Sequence, residues 1–314
     1  MIRFHHAIIL LSLTATVLTQ EVSNTNASNV EFATRQNVQP FPAQQQPFPV
    51  TYEPPHSAKF KSDMLKVHGI LMMIAWAFFL PIGIFIGTFY KSHFPNTYIC
   101  GTNLWFHLHR FFNLMGIACT IAAFVCIFVR EDWAWVGPKA TQTMAQNRQW
   151  GSVHAMCGLI ACVVAWAQPL AATFRCHPGT TFRPLFTIIH AFFGLGAFVL
   201  ACTSNMIACY HFRGAFTNWR AAWGIYIAYL CVVAVMYVLL KILSLKVWWS
   251  RRNNVGTGDI ELIQADGKRH ITLTTATIRT HRFMLFLLAL FILACIGCVV
   301  AISCLIGIQK PRQN

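Results

Sequence analysis

The stretch "LWFHLHRFFNLMGIACTIAAFVCIFV", residues 104–129, decides the fold. Beyond Arg110 it carries no charge, and as a helix rising 1.5 Å per residue it is long enough to cross a hydrocarbon core of roughly 30 Å. In lipid the backbone has no water to bond, so such a run must satisfy its amides internally, as a helix. Five further apolar runs lie at about 65–89, 150–173, 184–209, 221–246 and 282–308. The 314-residue chain is 56% hydrophobic and 11% charged, against about a quarter charged in a soluble domain. Trp105, Trp133, Trp135, Trp150, Trp219, Trp223, Trp248 and Trp249 stand near run ends, as an interfacial belt requires. The expected fold class is an all-α membrane protein, a bundle of six transmembrane helices.

The net charge of +15 would suit a nucleic-acid partner only if it formed a soluble basic patch. Here the basic residues sit in short loops, where they set topology; no nucleic acid is expected, and membrane lipid is the first partner. Residues 1–20 read as a signal peptide: Arg3, His5 and His6 precede a short apolar run, Ala7–Leu18. Residues 21–60 form a tail rich in Gln, Asn and Pro, including "VQPFPAQQQPFPVTYEPP", with too little to bury to be ordered. The sequon Asn26-Ala27-Ser28 suits an exported tail. With that tail extracellular or lumenal, twelve loop Lys and Arg fall on the cytosolic side and five outside, as the positive-inside rule requires. The membrane is a plasma membrane or an endomembrane vesicle, and the chain is multi-pass. Residues 251–281 form a cytosolic loop whose "ELIQADGKRHITL" allows a hairpin turning at Asp266-Gly267, residues 282–308 an additional transmembrane helix, and 309–314 a short C-terminal tail. Most of the twelve cysteines lie inside apolar runs, where Cys acts as a small hydrophobe.

Ionisable groups inside membrane helices are costly and mark function. His68, His109, His154 and His190 each stand near the N-terminal end of successive runs. Because successive helices reverse direction, His68 and His154 fall toward one leaflet and His109 and His190 toward the other. Stripes of small residues run below three of them: Asn113–Gly116–Thr120, Gly158–Ala161–Ala165 and Gly194–Ala197–Ala201. Such stripes suit a flat macrocycle between helices, and equally let helices approach closely with nothing between them. Four histidines matched by depth and paired by leaflet point to axial ligation of iron in two haems, His68 with His154 and His109 with His190. The irons would then stand roughly 15–20 Å apart along the normal.

The words that surround these histidines carry a resemblance. "HGILMMIAW", "LPIG", "LHR", "QPL" at 168–170, "FRP" at 182–184, His190 and Asn205 resemble the cytochrome b561 family over about residues 60–250, closest to the branch fused to a DOMON domain in ferric-chelate reductases. The resemblance implies a cytochrome b561-like domain at 61–250, built as a four-helix core around two haem b. It also implies electron transfer from a cytosolic donor such as ascorbate to an outside acceptor, a ferric chelate or monodehydroascorbate, by a transmembrane oxidoreductase. No DOMON domain is expected before the bundle, and the acceptor is expected to meet the outer haem directly or through a partner. Homodimer formation is left open, and the sixth run has no assigned role.

Arg110 and Asn113 are added as cofactor-binding candidates, Arg110 as a partner for propionate or an anionic donor. Lys91 is weighed for the same task against an interfacial anchor. His107 lies about 200° around the helix from His109, so one haem cannot take both, and a structural role is expected. Arg148, His211, Arg213 and Arg220 face outward as weaker acceptor candidates, whereas His93, His177, His270 and His281 are expected to be solvated. No P-loop, nucleotide fingerprint, zinc spacing or nucleophile elbow is present. The rival class is a transporter whose buried histidines relay protons or pass a metal ion.

Overall fold

The computed structural model describes residues 56–174, 181–253, 260–263 and 269–307. The expected signal peptide, the tail before His56, the sequon, the turn at Asp266-Gly267 and residues 309–314 lie outside the described residues. Six long helices are present: α1 (Ala58–Phe89), α2 (Leu104–Arg130), α3 (Trp150–Thr173), α4 (Arg183–His211), α5 (Trp219–Asn253) and α6 (Thr275–Gly307). All six are long and apolar enough to cross a membrane. The described chain is thus an all-α transmembrane bundle.

Helix ends differ from the apolar runs in an instructive way. α1 starts at Ala58, with Ser57 accepting from the Phe60 amide as its cap. α6 starts at Thr275, ahead of the apolar run, and α5 continues to Asn253. Polar helical turns beyond the hydrocarbon carry no hydropathy signal, so composition alone stops short of them. The strands β1 (Tyr98–Ile99) and β2 (Thr102–Asn103) form a small hairpin before α2. Strands β3 (Ile260–Ile263) and β4 (Arg269–Thr272) pair antiparallel, so the hairpin allowed in the loop forms.

α1 is the common wall of the bundle. One core cluster places its Ala75, Trp76 and Leu80 against Ala161 and Cys162 of α3 and Ala197 and Ala201 of α4. On its other side, Phe85 stacks on Phe291 of α6 at 4.3 Å and Phe89 meets Tyr237 of α5 at 5.4 Å. α1 is itself broken by a π turn at Ala75–Phe79, just before Pro81. A mid-helix proline has no N–H to give and crowds the preceding turn, and a π turn is one way to absorb that mismatch. The break changes which face α1 presents above and below the bundle centre.

α6, which sequence leaves without a role, closes the far side of α1. Tyr90 donates its hydroxyl to the Met284 carbonyl at 2.7 Å, and Thr217 binds the Leu305 carbonyl at the other end. His93 and His281, expected in solvent, are instead buried and stacked at 4.1 Å with Tyr90 alongside. The extra helical turns at 275–281 carry His281 inward, which the apolar pattern does not announce. Among the described residues the cysteines are free thiols.

Candidate functional site

The four histidines fall into two pairs at opposite ends of the bundle. His109 of α2 and His190 of α4 face each other with ring centres 6.2 Å apart. Two imidazoles bound through nitrogen to one transition-metal ion at about 2 Å each hold ring centres roughly 6 Å apart. The separation therefore suits a shared iron. At the other end, His68 of α1 and His154 of α3 line one cavity of about 770 Å³. That volume lies within the roughly 300–1,000 Å³ of small-molecule and cofactor sites.

Three of the four rings are oriented by a backbone carbonyl on a neighbouring helix. His68 Nδ1 lies 2.9 Å from the Ala123 oxygen, His109 Nδ1 2.8 Å from Gly83, and His154 Nδ1 3.0 Å from Ser204. A carbonyl only accepts, so these rings are protonated at Nδ1 and keep the Nε2 lone pair for a ligand. Ligating histidines characteristically give their second nitrogen to such an acceptor, which sets tautomer and angle. His190 departs from the pattern: its Nδ1 is buried without a hydrogen-bond partner among the described residues, and its ring stacks on Phe186. The donor set fits b-type haem at both ends, with His190 the least braced.

Close helix approach is what delivers these carbonyls. A Cβ added at Gly87 would lie 2.5 Å from His109 Nδ1, and one at Gly83 would run into the Asn113 amide. Gly83 and Gly87 stand one turn apart on the segment after the π turn, so α1 can lie flush against α2. Asn113 braces its neighbour by donating Nδ2 to the His109 carbonyl at 2.6 Å. On the cavity side, Ser204 donates its hydroxyl to the His154 carbonyl at 3.2 Å, and Phe212 meets the His154 ring edge at 5.0 Å.

The small-residue stripes form a groove only in part. Gly158, Ala161 and Ala201 line the cavity. Below His109 the stripe is filled instead: Gly116 admits Leu80 of α1, and buried Thr120 accepts the Trp166 indole N–H at 2.9 Å. There the small residues serve helix packing. The cavity also reaches α6, whose Ile302 and Ile306 form part of its wall.

Arg110, expected beside the iron pair, points elsewhere. Its guanidinium lies over Phe106 at 5.0 Å and donates to His107 Nδ1 at 3.2 Å, because one residue past His109 is about 100° around the helix. His107 then donates Nε2 to the Ile99 carbonyl at 2.8 Å and also touches Thr102 through the same nitrogen, so Nε2 holds the β1–β2 hairpin to α2 while Nδ1 is taken by Arg110. Lys91, just past α1, lies 5.4 Å over the Trp105 ring. Burial, and then the Arg183 guanidinium, push its ammonium below the ordinary lysine pKa. Reasoning from sequence missed Gly83, Gly87 and the three carbonyl partners. Only the four-residue spacing of the two glycines could have announced any of them.

Comparison with known proteins agrees in extent with this region. Residues 67–217 match the family model of eukaryotic cytochrome b561. The chain is 30% identical to ferric-chelate reductase 1 of Mus musculus over 147 residues, covering 46% of this chain and 22% of that protein. It is likewise 30% identical over 145 residues to ferric-chelate reductase 1 of Homo sapiens, covering 46% of this chain and 22% of that protein. A cytochrome b561 and DOMON domain-containing protein of Arabidopsis thaliana is 24% identical over 183 residues, 58% of this chain and 44% of the relative. The chain thus spans only about a quarter of the ferric-chelate reductase relatives it matches. No solved structure matches it. Residues 67–217, the region that carries both histidine pairs, are thus similar to the cytochrome b561 family.

Proposed function

We propose that this chain is a transmembrane oxidoreductase that passes electrons between two haem b, one held by His109 and His190 and the other by His68 and His154. The observation that carries the reading is the facing His109–His190 pair at 6.2 Å, with His109 locked to the Gly83 carbonyl. When bound, each haem supplies a one-electron iron couple whose poise depends on its axial ligands and surroundings. The chain's own residues do the rest. His68, His109 and His154 present Nε2 toward the site, held there by carbonyls that cannot follow a rotating ring. Ala75, Trp76, Ala165 and Ala197 pack the bundle centre and keep water from the space between the two ends.

Lys91 and Arg183 lie by the His109–His190 end and would attract a small anionic donor, with ascorbate the natural choice. The positive-inside distribution makes that end cytosolic. The acceptor at the other end is a ferric chelate or monodehydroascorbate; ferric-chelate reductase is the name of two of the relatives. The test is direct. Purified protein should be red, bind about two haems per chain, and show a reduced b-type spectrum with ascorbate. His109→Ala should lose one haem while His107→Ala keeps both. A colourless preparation made with haem available would favour the proton- or metal-transporter reading instead.

A further inference from the structure

The loop from Phe212 to Phe216 is the wall between the His68–His154 cavity and the surface, since Phe212, Gly214, Ala215 and Phe216 all line the cavity. Arg213, the one residue interleaved with this wall, is not part of that lining. Arg213 is exposed, with its guanidinium 4.5 Å over the Trp219 ring and 5.9 Å over Tyr210. Arg220, also exposed, lies 5.5 Å over the same Trp219. Beside them His211 stacks face to face on Trp150 at 4.1 Å, and exposed Arg148 stands two residues before that tryptophan.

Two cations converge on one indole here, and none of the described ion pairs reaches them. The three described acidic side chains of this end are already matched: Asp63 with Lys66, Asp132 with Lys61, and Glu131 with Arg130. Over residues 58–68, 130–149 and 211–220 this end carries eight Lys and Arg against three acids. Arginines held together without a carboxylate repel each other, and an anion between them removes that cost. The planar guanidinium and the aromatic face together suit carboxylate groups on a compact ligand.

We propose that Arg213 and Arg220 on the Trp219 platform, with Arg148 at the rim, dock an electron acceptor through its carboxylates, so that anionic carboxylate chelates are the preferred acceptor class. Resting on the electron-transfer reading above, this assigns its exit. A ligand seated there is separated from His154 by the thickness of Phe212, which touches the His154 ring. A haem held by His68 and His154 would supply the single electron that reduces the ferric chelate to the ferrous one, and no proton or bond change is required of the protein.

The experiment uses the full chain in ascorbate-loaded vesicles of neutral phosphatidylcholine, with ferric–EDTA or the cation hexaammineruthenium(III) outside. Arg213→Gln with Arg220→Gln should raise the half-saturating concentration of ferric–EDTA about 3- to 10-fold with little change in maximal rate. The same variant should leave the ruthenium complex unchanged or better used, and added salt should shrink the difference. Equal shifts for both acceptors, or none for either, overturn the assignment. A shift that appears only when phosphatidylserine is added also overturns it, by assigning the arginines to lipid headgroups. The haem spectrum is recorded in the same samples: a chain without ascorbate-reducible haem sinks the electron-transfer reading itself, whereas a red, reducible chain indifferent to acceptor charge sinks only the docking site.

Discussion

His107 and His109 are two residues apart on one helix and have unlike surroundings, because a helix turns them onto different faces. His109 looks across at His190 and gives its second nitrogen to Gly83; His107 spends both nitrogens on the Ile99 carbonyl and Arg110. The glycines decide this as firmly as the histidines do. Gly87→Ala places a methyl 2.5 Å from His109 Nδ1, so the ring must leave its carbonyl or α1 must move. Overpacking of this kind costs about 1–3 kcal/mol. The expected outcome is loss or spectral shift of one haem of two, read as haem per chain, with the His68–His154 end unaffected. An alanine variant with both haems and an unchanged spectrum would remove Gly87 from the site.

Among the elements, α1 and α6 hold more of the design than their sequences suggest. On either side of the π turn before Pro81, α1 meets the two ends of α2, His68 toward the Ala123 carbonyl above and the Gly83 carbonyl toward His109 below. α6 backs this helix along its length and contributes Ile302 to the cavity wall, where it is fully buried. Ile302→Ala should therefore lower stability by about 2–5 kcal/mol, as large-to-small core changes do. Because the vacated space adjoins the His68–His154 cavity, the same change should alter the spectrum or potential of that haem alone. Thermal unfolding and a redox titration check the two effects; equal perturbation of both haems would mean that α6 acts on the whole bundle instead.

On the scale of the whole molecule, orientation is the property that sets the direction of electron flow. The charge bias across loops predicts that the N-terminal tail is exported, so Asn26 should carry a glycan that Asn26→Gln abolishes. A mobility shift on glycosidase treatment of membranes, absent in the variant, is the expected result; an unglycosylated chain expressed through the secretory pathway would argue for the opposite orientation. Much of this molecule was legible in its sequence. Hydropathy marks a helix because lipid cannot satisfy a backbone, so six spans and their alternation follow from composition and length. The alternation then sorts His68, His109, His154 and His190 into two ends without any coordinates. The tertiary structure decided the rest. Which carbonyl meets which Nδ1, why Gly83 and Gly87 must be small, and how His93 comes to stack on His281 all depend on the register between helices far apart in the chain. Backbone carbonyls are the same at every residue and leave no mark in a sequence. Only the packing of one helix on another selects the few that hold a ring in place.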